Sequence, residues 1–287
     1  MNRYLSLIKF SHTIFALPFA GIGFGLGQKV SPESTNGFLI AYVLLSMLFA
    51  RSAAMAFNRY IDRRIDAANP RTAAREIPAG VISAPAALMF VLLNSAGFVF
   101  VAWLINPLCF MLSPVALAVI LGYSYSKRFT WLCHLWLGFG LGLAPVGAFM
   151  AVTGQIDPFV IQLGVIVMCW VAGFDIIYAA QDIDFDKSMK LHSIPVRFGL
   201  RGAFAFSTGL HILCALMLVY TAYQASARFV EFQWLSLIGV AFFLIMLLYQ
   251  HLLVKPSDLS KVNMKFMTTN GIASLVFGTL IVLDLYF

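Results

Sequence analysis

Long apolar stretches separated by short polar segments run the length of the chain. A helix needs about 20 mostly apolar residues to cross a bilayer. Nine stretches meet that length, at roughly 11–29, 38–58, 83–104, 108–126, 131–150, 158–180, 202–222, 232–254 and 268–286. The first starts after Arg3 and Lys9, as the apolar core of a secretion signal would, but it carries Ser11, His12 and Pro18 and no convincing cleavage site, so it is read as a span. The longest polar segments have only about 20 to 25 residues, too few for a separate soluble domain. The pattern predicts an all-α integral membrane bundle of nine transmembrane helices, with 1–287 forming one membrane domain.

Composition agrees: 61% of residues are hydrophobic and the mean hydropathy is +0.89, far beyond soluble domains. Four cysteines, Cys109, Cys133, Cys169 and Cys214, stand singly inside apolar runs and suggest neither disulfides nor zinc. The net charge of +7 could suggest nucleic acid, but its distribution argues for a membrane. Of the 19 basic residues, 16 fall at the N-terminus and in the segments after the second, fourth, sixth and eighth runs, against Lys29 and Arg228 on the other side and Arg51 inside the second run. By the positive-inside rule those segments and the N-terminus are cytoplasmic and the C-terminus is outside. The partners implied are the lipid bilayer and no nucleic acid.

The polar residues that remain are not scattered. In "NRYIDRRID" (58–66), Asn58, Asp62 and Asp66 are spaced i, i+4, i+8, and on a helix they share a face with Arg51. In "FDIIYAAQDIDFDKSMK" (174–190), Asp175, Tyr178, Asp182 and Asp186 share a face if the helix continues, while Asp184 points away. These two segments hold six of the chain's 12 acidic residues, both at cytoplasmic ends of spans. Carboxylates stacked near a low-dielectric boundary repel one another unless a cation is present. Oxygen ligands without His or Cys suit Mg2+, which bridges carboxylates to phosphates, and Arg63, Arg71, Arg75, Lys127 and Arg128 nearby suit phosphate oxygens. The pattern points to a metal-bridged diphosphate site at the membrane surface.

These paired Asp-rich segments, together with "KFSHTIFALPFA", "NPRTAAREIPAG", "YSYSKR" and "HSIPVRFG", resemble the UbiA superfamily of intramembrane aromatic prenyltransferases along the whole chain. The resemblance implies nine helices around a central cavity and transfer of a polyprenyl group from its diphosphate to an aromatic acid acceptor. It implies Asp62, Asp66, Asp182 and Asp186 as Mg2+ ligands, with Arg71, Arg75, Lys127 and Arg128 on the diphosphate. Tyr178, at the end of its span, is placed either to hydrogen-bond beside the diphosphate or simply at the membrane interface, where tyrosine is common. One departure stands out: the usual Asp after the motif's Asn is replaced by Arg59. That residue lies about 100° off the acidic face and is expected to matter little.

Arg51, Asp175 and Asn58 are the catalytic candidates. A charge two turns inside a span is costly and normally faces the interior with a partner. For Arg51 that partner is the acceptor's carboxylate or Asp175. Asp175 either orients or deprotonates the acceptor's hydroxyl or pairs with Arg51. His12, His134, His211 and His251 show no ligand spacing and read as packing or interfacial residues. "GFGLGLAPVG" reads as close helix packing rather than a phosphate loop. The acceptor expected is 4-hydroxybenzoate or a dihydroxynaphthoate on a route to quinones, in a bacterial inner membrane. The rival reading is a secondary transporter with a cation site. Two faintly repeated motifs, each followed by an Ile-Pro pair (Ile77-Pro78 and Ile194-Pro195), favour it, but the position of both at one membrane face disfavours it.

Overall fold

The structure is a computed structural model that describes residues 2–7, 16–34, 37–254, 259, 262 and 267–287. Lys9, Ser11, His12 and most of "KFSHTIFALPFA" lie outside the described residues, as do Lys255, Lys261 and Lys265. All regular structure among the described residues is helical: α1 (Asn2–Leu7), α2 (Leu17–Val30), α3 (Leu39–Ile61), α4 (Arg63–Ala68), α5 (Ala84–Ile105), α6 (Pro107–Ser126), α7 (Cys133–Thr153), α8 (Pro158–Ala179), α9 (Ile183–Ser188), α10 (Ile194–Arg228), α11 (Trp234–Leu253) and α12 (Met267–Tyr286). Each predicted run overlaps one of α2, α3, α5, α6, α7, α8, α10, α11 and α12, with 11–15 of the first run outside the described residues and α10 extending beyond 202–222 at both ends. Eight are long and apolar enough to span a membrane, and α2 is described over 14 residues. The chain is a multi-pass membrane protein.

Helix starts follow one chemical rule. Ser83, Asn106, Asp157 and Ser193 each accept a hydrogen bond from a first-turn backbone N–H, and a proline follows within two residues. The cap satisfies an otherwise orphaned donor, while the proline has none to lose. Asn106 also donates to the carbonyls of Met150 and Ala151, at 2.8 and 3.2 Å, and so ties the start of α6 to the end of α7.

Close approach of backbones sets the centre of the bundle. A Cβ at Gly138 would stand 2.3 Å from the Met168 carbonyl oxygen, and one at Gly142 2.4 Å from that of Gly164, so α7 lies against α8 with no room for side chains. Gly23 brings α2 equally close to the Pro145 carbonyl. The glycine stretch is a packing seam, as its sequence suggests. Beside it α8 is the most enclosed span, and its Trp170 sits among Phe19, Phe174 and Phe243 with ring centroids 5.3–5.4 Å away. Large apolar side chains such as Met111, Trp103, Leu216 and Tyr223 face outward, as lipid contact requires.

Candidate active site

At one end of the bundle the ends of α3, α6 and α8 meet the starts of α7 and α10, because antiparallel neighbours alternate direction. The segment after α6 is fastened to the segment before α10: the His192 amide donates to the Lys127 carbonyl at 2.7 Å. Both acidic motifs converge here.

The first motif keeps its phase through a break. α3 stops at Ile61 and α4 begins at Arg63, yet the amides of Asp62 and Asp66 still bond the carbonyls four residues back, at 2.9 and 2.7 Å. Asn58 donates to Asp62 at 3.2 Å. The loop that follows is wound tightly. Asn69 accepts from the Arg71 amide at 2.9 Å, and buried Thr72 donates to the Asp66 carbonyl at 3.0 Å. This winding aims Arg75 back at Asp66, 2.7 Å away, and sends Arg71 across to the second motif. There Arg71 grips both carboxylate oxygens of Asp182, with Nε–Oδ1 at 3.0 Å, and donates to the Tyr178 hydroxyl at 3.1 Å. Arg128 closes the third side, donating to Asp62 at 2.9 Å.

The second motif is not one continuous α-helix. α8 ends at Ala179, a 3-10 turn covers Ala180–Asp182, and α9 resumes at Ile183. The one-face expectation for Asp175, Asp182 and Asp186 assumed regular winding, and the tighter turn shifts the phase at Asp182. The in-and-out sense survives: Asp186 is buried, Asp182 half-buried and Asp184 exposed.

Electrostatics follow from this crowding. Burial holds the Asp62 carboxyl above its ordinary range despite Arg128. Burial pulls Lys127 down, but the carboxylates of Asp186, Asp175 and Asp62 outweigh it and hold the ammonium above its usual value. Arg71 is likewise held charged, since Asp182 and Tyr178 outweigh its own desolvation.

The donor set fits a hard divalent cation. One oxygen of Asp66 and one of Asp186 are sealed from solvent without a hydrogen-bond partner, a costly arrangement for a carboxylate unless a cation uses it. Among the described residues no three His, Cys, Asp or Glu side chains converge on one point. A cation there would be held by carboxylates singly or in pairs, the arrangement that suits Mg2+ shared with phosphate oxygens.

Three expectations are corrected. Asp175 pairs not with Arg51 but with His134, Nδ1 to Oδ2 at 2.7 Å, so His134 is more than packing. Sequence spacing could not show this, because the two residues are 41 apart on different helices. Arg51 is half-buried with its Nε unpartnered and makes no ion pair among the described residues. Arg63 turns from the site, its guanidinium donating to the Tyr60 carbonyl at 2.6 Å and lying over the Tyr60 ring. Arg59, off the acidic face as expected, is nonetheless buried.

A helical membrane bundle with a two-motif acidic and basic end defines a class, and comparison with known proteins gives it a family. The model of the UbiA prenyltransferase family matches residues 16–272. A 4-hydroxybenzoate octaprenyltransferase of Aliivibrio fischeri is 31% identical over 279 residues, covering 96% of this chain and 92% of that protein. The enzyme of that name from Yersinia enterocolitica is 33% identical over 83% of this chain and 75% of its own length. Among solved structures, the apo form of a UbiA homologue from Aeropyrum pernix K1 superposes with a TM-score of 0.83 at 30% identity, over 96% of this chain and 98% of that one. A homologue from Archaeoglobus fulgidus bound to GPP and Mg2+ shares the fold, with a TM-score of 0.77 at 21% identity over 99% of this chain and all of its own. The chain belongs to the UbiA prenyltransferase family. That membership replaces the transporter reading with an enzyme.

Proposed function

We propose that the protein transfers a polyprenyl group from its diphosphate to a hydroxylated aromatic acid, with Mg2+, from the cytoplasmic face of a bacterial inner membrane. The observation that carries this is the set of three arginine–aspartate pairs, Arg71–Asp182, Arg75–Asp66 and Arg128–Asp62, joining two acidic motifs at one end of the bundle. Each arginine is in place to exchange its carboxylate for a phosphate oxygen. Asp62, Asp66, Asp182 and Asp186 would hold Mg2+, which when bound neutralises charge on the diphosphate and on its departure. Lys127, Arg71, Arg75 and Arg128 would bind the diphosphate, with Tyr178 orienting Arg71. Asn58 orients Asp62.

On the acceptor side, Arg51 is a cation inside the span whose Nε is unpartnered and which makes no ion pair among the described residues, suited to the acceptor's carboxylate. Asp175 takes the acceptor's hydroxyl proton. As the allylic C–O bond breaks and its electron pair leaves with the diphosphate, the activated ring forms the new carbon–carbon bond. The ring proton then passes to the released diphosphate, and Asp175 returns its proton to the oxygen, restoring the phenol. 4-Hydroxybenzoate fits the names of the relatives, and a dihydroxynaphthoate has the same acid and hydroxyl groups. Purified protein with geranyl diphosphate, Mg2+ and a panel of aromatic acids should release pyrophosphate and form a prenylated acid. No release with any acceptor would sink the reading.

A further inference from the structure

We propose that His134 is a positioning residue for proton transfer at the acceptor: its Nδ1–H holds one oxygen of Asp175 and leaves the other to face the acceptor's hydroxyl. The inference rests on the prenyl-transfer reading above. His134 is the second residue of α7 and is fully buried, while the Asp175 side chain, on α8, is 18% exposed. Their 2.7 Å contact therefore joins a sealed donor to a carboxylate that reaches open space. A carboxylate only accepts, so Nδ1 carries a proton and is the donor to Asp175 whether the ring is neutral or charged. Asp175 makes no second hydrogen bond or ion pair among the described residues, which leaves Oδ1 for a ligand.

His134 Nε2 is sealed without a hydrogen-bond partner. A residue that only filled space would avoid such an orphan, since a buried unpaired polar atom destabilises the fold. The dyad is also beside the diphosphate centre rather than remote from it. Lys127, placed at the diphosphate site, lies within electrostatic reach of both Asp175 and Asp186. Fixing one oxygen of Asp175 aims the other and limits the rotamers that the carboxylate can adopt before it takes the phenolic proton.

The test uses the full purified chain in detergent with Mg2+, geranyl diphosphate and 4-hydroxybenzoate. His134→Leu should lower kcat more than about tenfold while leaving KM for geranyl diphosphate within about twofold, and it should cost little further in an Asp175→Asn background. His134→Asn, whose amide nitrogen can stand near Nδ1, should recover about tenfold over His134→Leu. A loss below about tenfold, a loss that adds to that of Asp175→Asn, or no recovery by Asn would overturn the proposal. If His134→Leu fails gel filtration, His134→Asn is compared with His134→Gln, whose amide overshoots the Nδ1 position, and equal activities overturn it. If wild-type protein forms no prenylated acid, the function reading itself fails and this inference goes with it.

Discussion

Charge on a single side chain decides most at this site. Asp182 and Asp184 stand two residues apart, yet one is gripped by Arg71 and the other faces solvent. Asn replacement removes one charge from each and nearly keeps the shape, so a pure field effect would be similar at both. Asp182→Asn should lose about 10²-fold or more in kcat/KM, roughly 2.7 kcal/mol at the transition state, whereas Asp184→Asn should keep most activity. Equal inactivity in steady-state assays would mean that Asp184 also serves the site. Arg51→Leu should raise KM for a carboxylated acceptor about tenfold or more, the worth of a charged hydrogen bond, and leave KM for the prenyl diphosphate nearly unchanged. Equal shifts in both constants would move Arg51 to the diphosphate or to structure.

Among the helices, the seam between α7 and α8 is the least forgiving contact. The group that a Cβ at Gly138 would strike is the Met168 backbone, which cannot rotate away as a side chain could. Gly138→Ala should therefore destabilise by about 1–3 kcal/mol, seen as a lower Tm in detergent, whereas Ala at Gly147, where nothing lies within 4 Å, should have little effect. A neutral Gly138→Ala would show that the two helices can separate without cost. The breaks in the two motif helices belong to this scale too. Turning at Asp62 and through Ala180–Asp182 lets short α4 and α9 present Asp66 and Asp186 inward while the spans end.

For the whole molecule, the acidic end is held by arginine–aspartate pairs, which under the proposed function give way to metal and diphosphate. Activity should vanish in EDTA and return with Mg2+, because four carboxylates would otherwise repel the substrate. Mg2+ with geranyl diphosphate should also raise Tm, by mass action about 2.7 kcal/mol at a hundred times Kd, and more than either alone. Turnover in chelator, or no joint stabilisation in a thermal-shift assay, would refute the metal assignment.

The sequence by itself determined the spans, the glycine seam and the identity of both acidic motifs. These depend on local properties: apolar length against bilayer thickness, residue size and spacing along one chain. It also brought Arg71, Arg75, Lys127 and Arg128 to notice, because charge inside an apolar chain is conspicuous. It did not pair them. Which carboxylate each arginine takes, the meeting of His134 with Asp175, and the 3-10 turn before α9 were decided only by the tertiary structure. The partners are up to 111 residues apart, and their contact depends on where whole helices cross and on which oxygen desolvation leaves without water.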